Sequence, residues 1–208
     1  MLRYAESVIP TDAGPLTVVV YREAALRGVA EAAPFGQEHE HVALVAGSLA
    51  ALSDLAGEDV LCRVHSECFT GETLHSLKCD CREQLDLAIA AILRAGRGVI
   101  VYMRQEGRGI GLGNKIRAYA LQEQGADTVD ANLELGFAVD LRSYEMAAKM
   151  LADLGVRSVA LMTNNPQKTA GLEQAGVRVL RRVPHWGAAQ EHNREYIAVK
   201  QSKLGHES

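Results

Sequence analysis

Apolar residues recur along this chain with two different periods, and the change between them falls near residue 80. Before it, short apolar runs sit between turn residues. Leu16-Thr17-Val18-Val19-Val20-Tyr21 follows the turn sequence Asp12-Ala13-Gly14-Pro15, and His41 to Leu49 and Val60 to His65 are further β-rich runs. Glu23 to Gln37 has helical composition but is interrupted by Gly28, Pro34 and Gly36, so it supports no single assignment. Beyond residue 80, helical and extended patterns alternate. Leu85, Ala88, Ile89, Ile92 and Leu93 fall at helical spacing, and Gly96 ends that helix. Val99 to Met103 reads as a buried strand, Ile116 to Gln124 as a helix closed by Gly125, and Tyr144 to Leu154 as a helix closed by Gly155. Val159 to Met162 predicts a strand, Gln167 to Gln174 a helix, Val177 to Val183 a strand, and Asn193 to Leu204 a polar helical tail.

These elements predict an α+β fold, mixed β-sheets with flanking helices around one main core. No linker or internal repeat interrupts it, so residues 1–208 read as a single domain with a helical, polar tail from about residue 193. At roughly 150 residues per domain the length agrees. A composition 48% hydrophobic and 23% charged excludes disorder as the main state. The net charge of −4, from 22 basic and 26 acidic residues, argues against a nucleic-acid coat. It leaves room for a small anionic ligand held by local arginines. No apolar run approaches the ~20 residues of a membrane span, and Met1 to Glu6 lacks the pattern of a secretory signal. The expectation is a cytoplasmic protein with neither nucleic acid nor membrane as partner.

In a reducing compartment, clustered cysteines indicate metal or catalysis before disulfides. Cys68, Cys79 and Cys81 give C-x10-C-x-C, which offers three thiolates. Three protein ligands with one open position is the arrangement of a catalytic zinc, whereas a structural site wants four. Residues i and i+2 of a helix point nearly opposite ways, so Cys79 and Cys81 belong on the loop entering the helix that begins near Arg82. Three free core cysteines are the plainer alternative. The fourth, Cys62, shares strand parity with Val60 and Val64 and reads as core.

Polar clusters surround the cysteines. Arg63, His65 and Glu67 share the parity opposite to Cys62 and lead directly into Cys68. Arg104 to Lys115 is a glycine-rich turn between a strand and a helix, with Arg104, Arg108 and Lys115 supplying charge. Such a turn can present backbone N–H groups to phosphate, although it fits neither standard nucleotide-loop pattern. Asp140-Leu141-Arg142-Ser143 precedes a helix, where a capping role is the ordinary reading. Thr163 to Lys168 follows a strand, and in open α/β sheets ligands bind at the carboxyl ends of strands.

Together these segments resemble GTP cyclohydrolase II. The matching stretches are Arg63-Val64-His65-Ser66-Glu67-Cys68, Leu77-Lys78-Cys79-Asp80-Cys81, Arg104 to Ile110, Asn114 to Leu121, Asp127 to Asn132, and Thr163 to Pro166. They occur in order over nearly the whole chain. The resemblance implies zinc-dependent hydrolysis of GTP to formate, diphosphate and a diaminopyrimidinone ribosylamino 5′-phosphate, at the start of riboflavin synthesis. Related enzymes also feed secondary pathways such as toxoflavin-type antibiotics. By motif match, Cys68, Cys79 and Cys81 hold one zinc per subunit. Arg63, Val64, His65, Ser66, Glu67, Gln84, Glu106, Gly107, Arg108, Thr128, Thr163 and Lys168 bind GTP. Asp140 and Arg142 match the family's acid/base and nucleophile pair, and Tyr119 its active-site tyrosine. The family is homodimeric and uses Mg²⁺ with the triphosphate. Gly113 departs from the pattern, since many members carry a bulkier apolar residue there. The length leaves no room for a dihydroxybutanone phosphate synthase domain.

Two other readings compete. His65-Ser66-Glu67 contains the H-x-E of zinc deaminases, but these pair it with P-C-x-x-C, and the later pair here is C-x-C. A non-catalytic, zinc-stabilised nucleotide-binding protein is the second, and it would want a fourth protein ligand.

Overall fold

The computed structural model describes residues 1–23, 40–54, 57–123, 136–137 and 140–186. Seven strands form one sheet in the order β1-β2-β3-β5-β4-β6-β7. They are β1 (Leu2–Ile9), β2 (Leu16–Arg22), β3 (Glu40–Ala46), β4 (Val60–Ser66), β5 (Gly98–Met103), β6 (Ser158–Met162) and β7 (Arg178–Val183). The helices are α1 (Leu49–Asp54), α2 (Phe69–Glu72), α3 (Cys81–Ala95), α4 (Gly111–Glu123), α5 (Glu145–Asp153) and α6 (Pro166–Gln174), with a 3₁₀ turn at Glu106–Gly109. The β1-β2-β3-β5 half is antiparallel. The β5-β4-β6-β7 half is parallel. This is the mixed-sheet α+β class in a single domain.

Each face of the sheet carries its own core. On one, Val60, Cys62 and Val64 of β4 pack with Met146, Met150 and Leu151 of α5 and Leu172 of α6. On the other, Ile100 of β5 and Met162 of β6 pack with Ala88 and Ile92 of α3. Helices on opposite faces follow from the topology. The chain moves from β4 to β5 in one direction and from β5 to β6 in the other, and right-handed crossovers then place α3 and α5 on opposite sides. Ile92 is fully buried, which is worth roughly 1.5–3 kcal/mol for a side chain of its size. The strand β6 is buried at every position and reads as a continuous apolar run because both its faces are covered.

Local signals explain the helix limits. Gly96 adopts the left-handed conformation (φ 65°) and its N–H donates to the Leu93 carbonyl, closing α3. At the start of α6, the Asn165 side chain accepts from the Gln167 N–H, and Pro166 takes the first helical position. Three differences from the sequence pattern have physical causes. The edge strand β1 is exposed on both faces, so it carries no alternation. The run from His41 ends as a strand at Ala46, where Gly47 turns the chain (φ 83°) into α1. Helix α4 begins at Gly111 rather than Ile116, because poor helix formers at Gly111 and Gly113 hide its first turn. The segment Glu23 to Gln37, residues 124–135 with Thr128, and the residues from Asn193 onward lie almost wholly outside the described residues. Among the described residues no helix is long and apolar enough to cross a membrane.

Candidate active site

The four parallel strands end at one edge of the sheet, and each contributes to the same place. From β4 come Ser66, Glu67 and Cys68, and from β5 the turn Glu106–Gly109. From β6 come Thr163 to Asn165, and from β7 His185. Backbone bonds tie these ends together. The Glu67 N–H donates to the Met103 carbonyl at 2.9 Å, and the Thr163 N–H donates to the Val183 carbonyl at 3.1 Å.

Three sulfurs converge here. The Sγ atoms of Cys68, Cys79 and Cys81 all lie within 4.8 Å of one another, and those of Cys68 and Cys79 are 3.7 Å apart. Tetrahedral zinc with bonds near ~2.3 Å would set its sulfurs about 3.8 Å apart, so the donor set fits. Gly71 of α2 makes room for it. A Cβ at that position would lie 2.8 Å from Cys79 Sγ and 3.2 Å from Cys68 Sγ. Cys81 is the first residue of α3 and Cys79 lies in the loop before it, so the helix limit itself separates their directions. Hydrogen bonds from Cys79 and Cys81, together with the Lys115 ammonium, pull the Cys68 thiol far below the usual thiol range. The same bond to Cys68 holds Cys81 up. Lys115 Nζ lies 3.1 Å from Cys68 Sγ and donates to Glu106 Oε1 at 2.8 Å. Burial works against its charge, but Glu106 and Cys68 raise its pKa above the ordinary lysine value.

Glu72 of α2 anchors the first cysteine. Its Oε1 accepts from the Cys68 N–H at 2.9 Å and from His65 Nε2 at 2.8 Å. Its Oε2 accepts from the Tyr102 hydroxyl at 2.6 Å. The His65 ring stacks on Tyr102 with centroids 5.7 Å apart. Burial keeps His65 neutral by lowering its pKa, so Nε2 carries the hydrogen given to Glu72.

The glycine turn forms the opposite wall. Gly107 and Arg108 both take left-handed conformations, with φ of 61° and 59°. A non-glycine residue there stores strain of order 1–3 kcal/mol. The turn is held by the Arg108 carbonyl, which accepts from the Leu141 N–H at 3.0 Å. Gly109 must be glycine for this docking, since a Cβ would come within 3.1 Å of the Leu141 Cβ. That contact brings the Asp140–Arg142 segment against the turn. The Arg142 N–H and Nε donate to Asp140 Oδ1 at 3.0 and 2.9 Å. Burial raises the Asp140 carboxyl, but its bonds with Arg142 outweigh this and leave it below the ordinary carboxylate value.

These walls enclose two cavities. The first is lined by Ser66, Glu67, the three cysteines, Glu106, Gly107, Arg108, Lys115, Tyr119 and Arg142. The second is lined by Arg63, His65, Ser66, Cys81, Gln84, Arg142, Thr163, Asn164, Asn165, Lys168 and His185. Ser66, Cys81 and Arg142 belong to both, so the cavities adjoin. The second carries three cationic side chains and no carboxylate among its described lining residues. Arg63 is 6% exposed; it donates to the Met162 carbonyl at 2.8 Å and to Gln84 Oε1. Its Nε has no partner among the described residues, and burial lowers its pKa to about 10. Lys168, also 6% exposed, donates to the Val64 carbonyl at 2.8 Å. The N-terminus of α6 opens on the same cavity and adds its positive dipole end.

Most of the residues expected from the sequence meet at these two cavities. Val64 does not line them: its side chain is in the core, and it meets the site only through its carbonyl. Asp140 reaches the site through Arg142. Thr128 lies outside the described residues. Arg63 and His65 are buried. Cys62 is fully buried in the core, where desolvation pushes its thiol up to about 12. Three contributors have no signal of their own in the sequence: Gly71, Glu72 and His185. Gly71 and Glu72 fall in the stretch between Cys68 and Cys79, and a thiolate cluster needs a small neighbour and a backbone anchor there.

An enzyme is the class this layout fits: open thiolate donors beside a cationic anion pocket, at the carboxyl ends of parallel strands. The sequence profile described as GTP cyclohydrolase II matches residues 3–184, and the chain belongs to that family. GTP cyclohydrolase-2 of Pseudomonas paraeruginosa is 58% identical over 167 residues, covering 80% of this chain and 79% of that one. Riboflavin biosynthesis protein RibBA of Bacillus cereus is 48% identical over 204 residues, which is 98% of this chain and 47% of that one. This chain thus spans about half the length of that relative. Among solved structures, RibBX, a two-domain 3,4-dihydroxy-2-butanone 4-phosphate synthase from A. baumannii, aligns with a TM-score of 0.42 at 20% identity, over 88% of this chain and 40% of that one.

Proposed function

We propose that this protein is a GTP cyclohydrolase II that hydrolyses GTP to 2,5-diamino-6-ribosylamino-4(3H)-pyrimidinone 5′-phosphate, formate and diphosphate. The observation that carries the reading is the junction of a three-thiol cavity with a cavity that holds Arg63, Arg142 and Lys168 and has no carboxylate among its described lining residues. A guanine base fits the chemistry of the first and a triphosphate that of the second. Cys68, Cys79 and Cys81 would hold one zinc per subunit. When bound, zinc supplies a Lewis acid that makes water a stronger nucleophile at neutral pH. The chain's own groups do the rest. Glu67 and Tyr119 line the metal cavity as proton-carrying groups. Burial raises the Tyr119 pKa, so its hydroxyl keeps its proton at neutral pH and can lend it as formate departs. Asp140 orients Arg142, whose guanidinium faces both cavities and balances charge at the α-phosphorus. An arginine so paired stays charged, which favours charge stabilisation over nucleophilic attack.

The same reading includes Mg²⁺ with the triphosphate, a cytoplasmic homodimer, and the 208-residue chain as one catalytic domain at the first step of riboflavin synthesis. Its test is product analysis of zinc-loaded protein with GTP. Formate and an opened ring are the expected products, and Cys68→Ser, Cys79→Ser or Cys81→Ser should abolish both. Ammonia with an intact purine would make it a deaminase instead.

Arg108 yields a prediction with two opposite signs. Arg108→Gly removes the strained left-handed residue and should stabilise the fold by roughly 1 kcal/mol. It also removes a charged contact worth roughly 1.5–3 kcal/mol. The melting temperature should rise while kcat/KM for GTP falls at least tenfold. A variant that loses both stability and activity would show that the turn is not strained.

A further inference from the structure

We propose that His185 is a phosphate-contacting residue of the cationic cavity, which takes up a proton as a polyphosphate binds and donates it from Nδ1 to a phosphate oxygen. The proposal rests on the reading of that cavity as the triphosphate subsite. It also goes beyond it, because His185 belongs to none of the matched motifs.

Placement comes first. His185 follows the end of β7, is 7% exposed, and lines the cavity beside Arg63 and Lys168. Its backbone is clamped by one side chain. The His185 N–H donates to Asn164 Oδ1 at 2.9 Å, and Asn164 Nδ2 donates to the His185 carbonyl at 2.8 Å. The His185 backbone is therefore set against the β6–α6 turn, and its ring reaches the Gln84 carbonyl of α3.

Ring chemistry comes second. Nε2 lies 2.7 Å from the Gln84 carbonyl oxygen. A carbonyl only accepts, so Nε2 carries a hydrogen in every protonation state. A neutral ring must then carry its lone pair on Nδ1. Nδ1 makes no hydrogen bond among the described residues. A lone pair facing a phosphate oxygen, itself an acceptor, is repulsive. One proton on Nδ1 converts that contact into a charge-assisted hydrogen bond.

Electrostatics comes third. Burial, and then the Arg63 charge, lower the His185 pKa to about 4, with smaller contributions from His65 and Lys168. The groups that face it are Arg63 and His65 from β4, Lys168 from α6 and Arg142 from the segment before α5. From α3 come Cys81 and Gln84, the latter backed by Asp80. In the free protein burial first, and the cationic surroundings second, keep the ring neutral. A bound polyphosphate adds several negative charges next to the same ring and reverses that balance. Between the free and bound pKa values, binding must take up a proton, so affinity rises as pH falls.

The test is calorimetry of zinc-loaded protein titrated with inorganic pyrophosphate, in buffers of different ionisation heat, for wild type and His185→Gln. Glutamine can still donate to the Gln84 carbonyl but cannot take a proton. Wild type should take up close to one more proton per site than the variant near pH 6.5. Its affinity relative to the variant should rise up to tenfold per pH unit below neutrality. KM for GTP should follow the same ratio. Imidazole NMR of the wild-type protein reads the same event should the variant not fold: the His185 resonance should move to its protonated position when pyrophosphate is added. Equal proton uptake, a pH-independent KM defect, an unmoved resonance or no pyrophosphate binding would each overturn the proposal. Failure of GTP to yield formate would instead remove the assigned activity, while the proton count with pyrophosphate still decides on His185.

Discussion

Gly71→Ala should lose its zinc while keeping all three cysteines. The added methyl carbon would sit 2.8 Å from Cys79 Sγ and 3.2 Å from both Cys68 Sγ and Cys81 Cβ. Contacts this short force a sulfur to move, and a metal site tolerates little displacement of its donors. Changes that misplace ligands without removing them typically cost 10–100-fold in metal affinity. Because the methyl here presses on the donors themselves, the upper end of that range is expected, with ring opening lost in parallel. Metal analysis after dialysis against a chelator, alongside a thiol count, checks it. Full zinc retention by the variant would mean that the three sulfurs do not close around one ion.

Glu72→Ala should be among the most destabilising single changes in the chain. The carboxylate is 12% exposed and accepts from His65 Nε2, the Cys68 N–H and the Tyr102 hydroxyl. Each buried donor left without an acceptor costs ~1–3 kcal/mol, so a loss of roughly 3–5 kcal/mol is expected. At about 2–4 °C per kcal/mol for a domain of this size, the melting temperature should fall by roughly 6–20 °C. Glu72→Gln keeps one acceptor oxygen and should fall between the two. A shift of only a degree or two in thermal unfolding would contradict the role of Glu72 as anchor of β4, β5 and the first cysteine.

The fold was legible wherever burial imposed a period. Ala88 and Ile92 on α3 and the apolar runs of β5 and β6 announce themselves because each packs into a core. Elements without that pressure were not: β1 is solvated on both faces, and the first turn of α4 is written in glycines. The site divides in the same way. Cys68, Cys79, Cys81 and the motif residues were visible because charge and thiols are rare enough in combination to stand out. Gly71 and Glu72 act through space they leave empty or through the backbone they hold, and a single sequence carries no mark of either. His185 escaped for a different reason. Only the pairing of β7 beside β6 brings it to Lys168 and Arg63.

Joining ring opening to diphosphate loss in one pair of cavities is tested most directly by measuring formate and diphosphate separately from the same GTP incubation. Wild type, Tyr119→Phe and Arg142→Lys are compared, all zinc-loaded. Wild type should release the two products in equal amounts. Tyr119→Phe should release diphosphate but little formate, with a formylated, ring-opened intermediate accumulating, because phenylalanine keeps the ring and loses the proton. Arg142→Lys should impair diphosphate release while ring opening persists, because lysine keeps the charge and loses the planar fork. Absence of formate from wild type, or parallel loss of both products in each variant, would contradict the division between the two cavities.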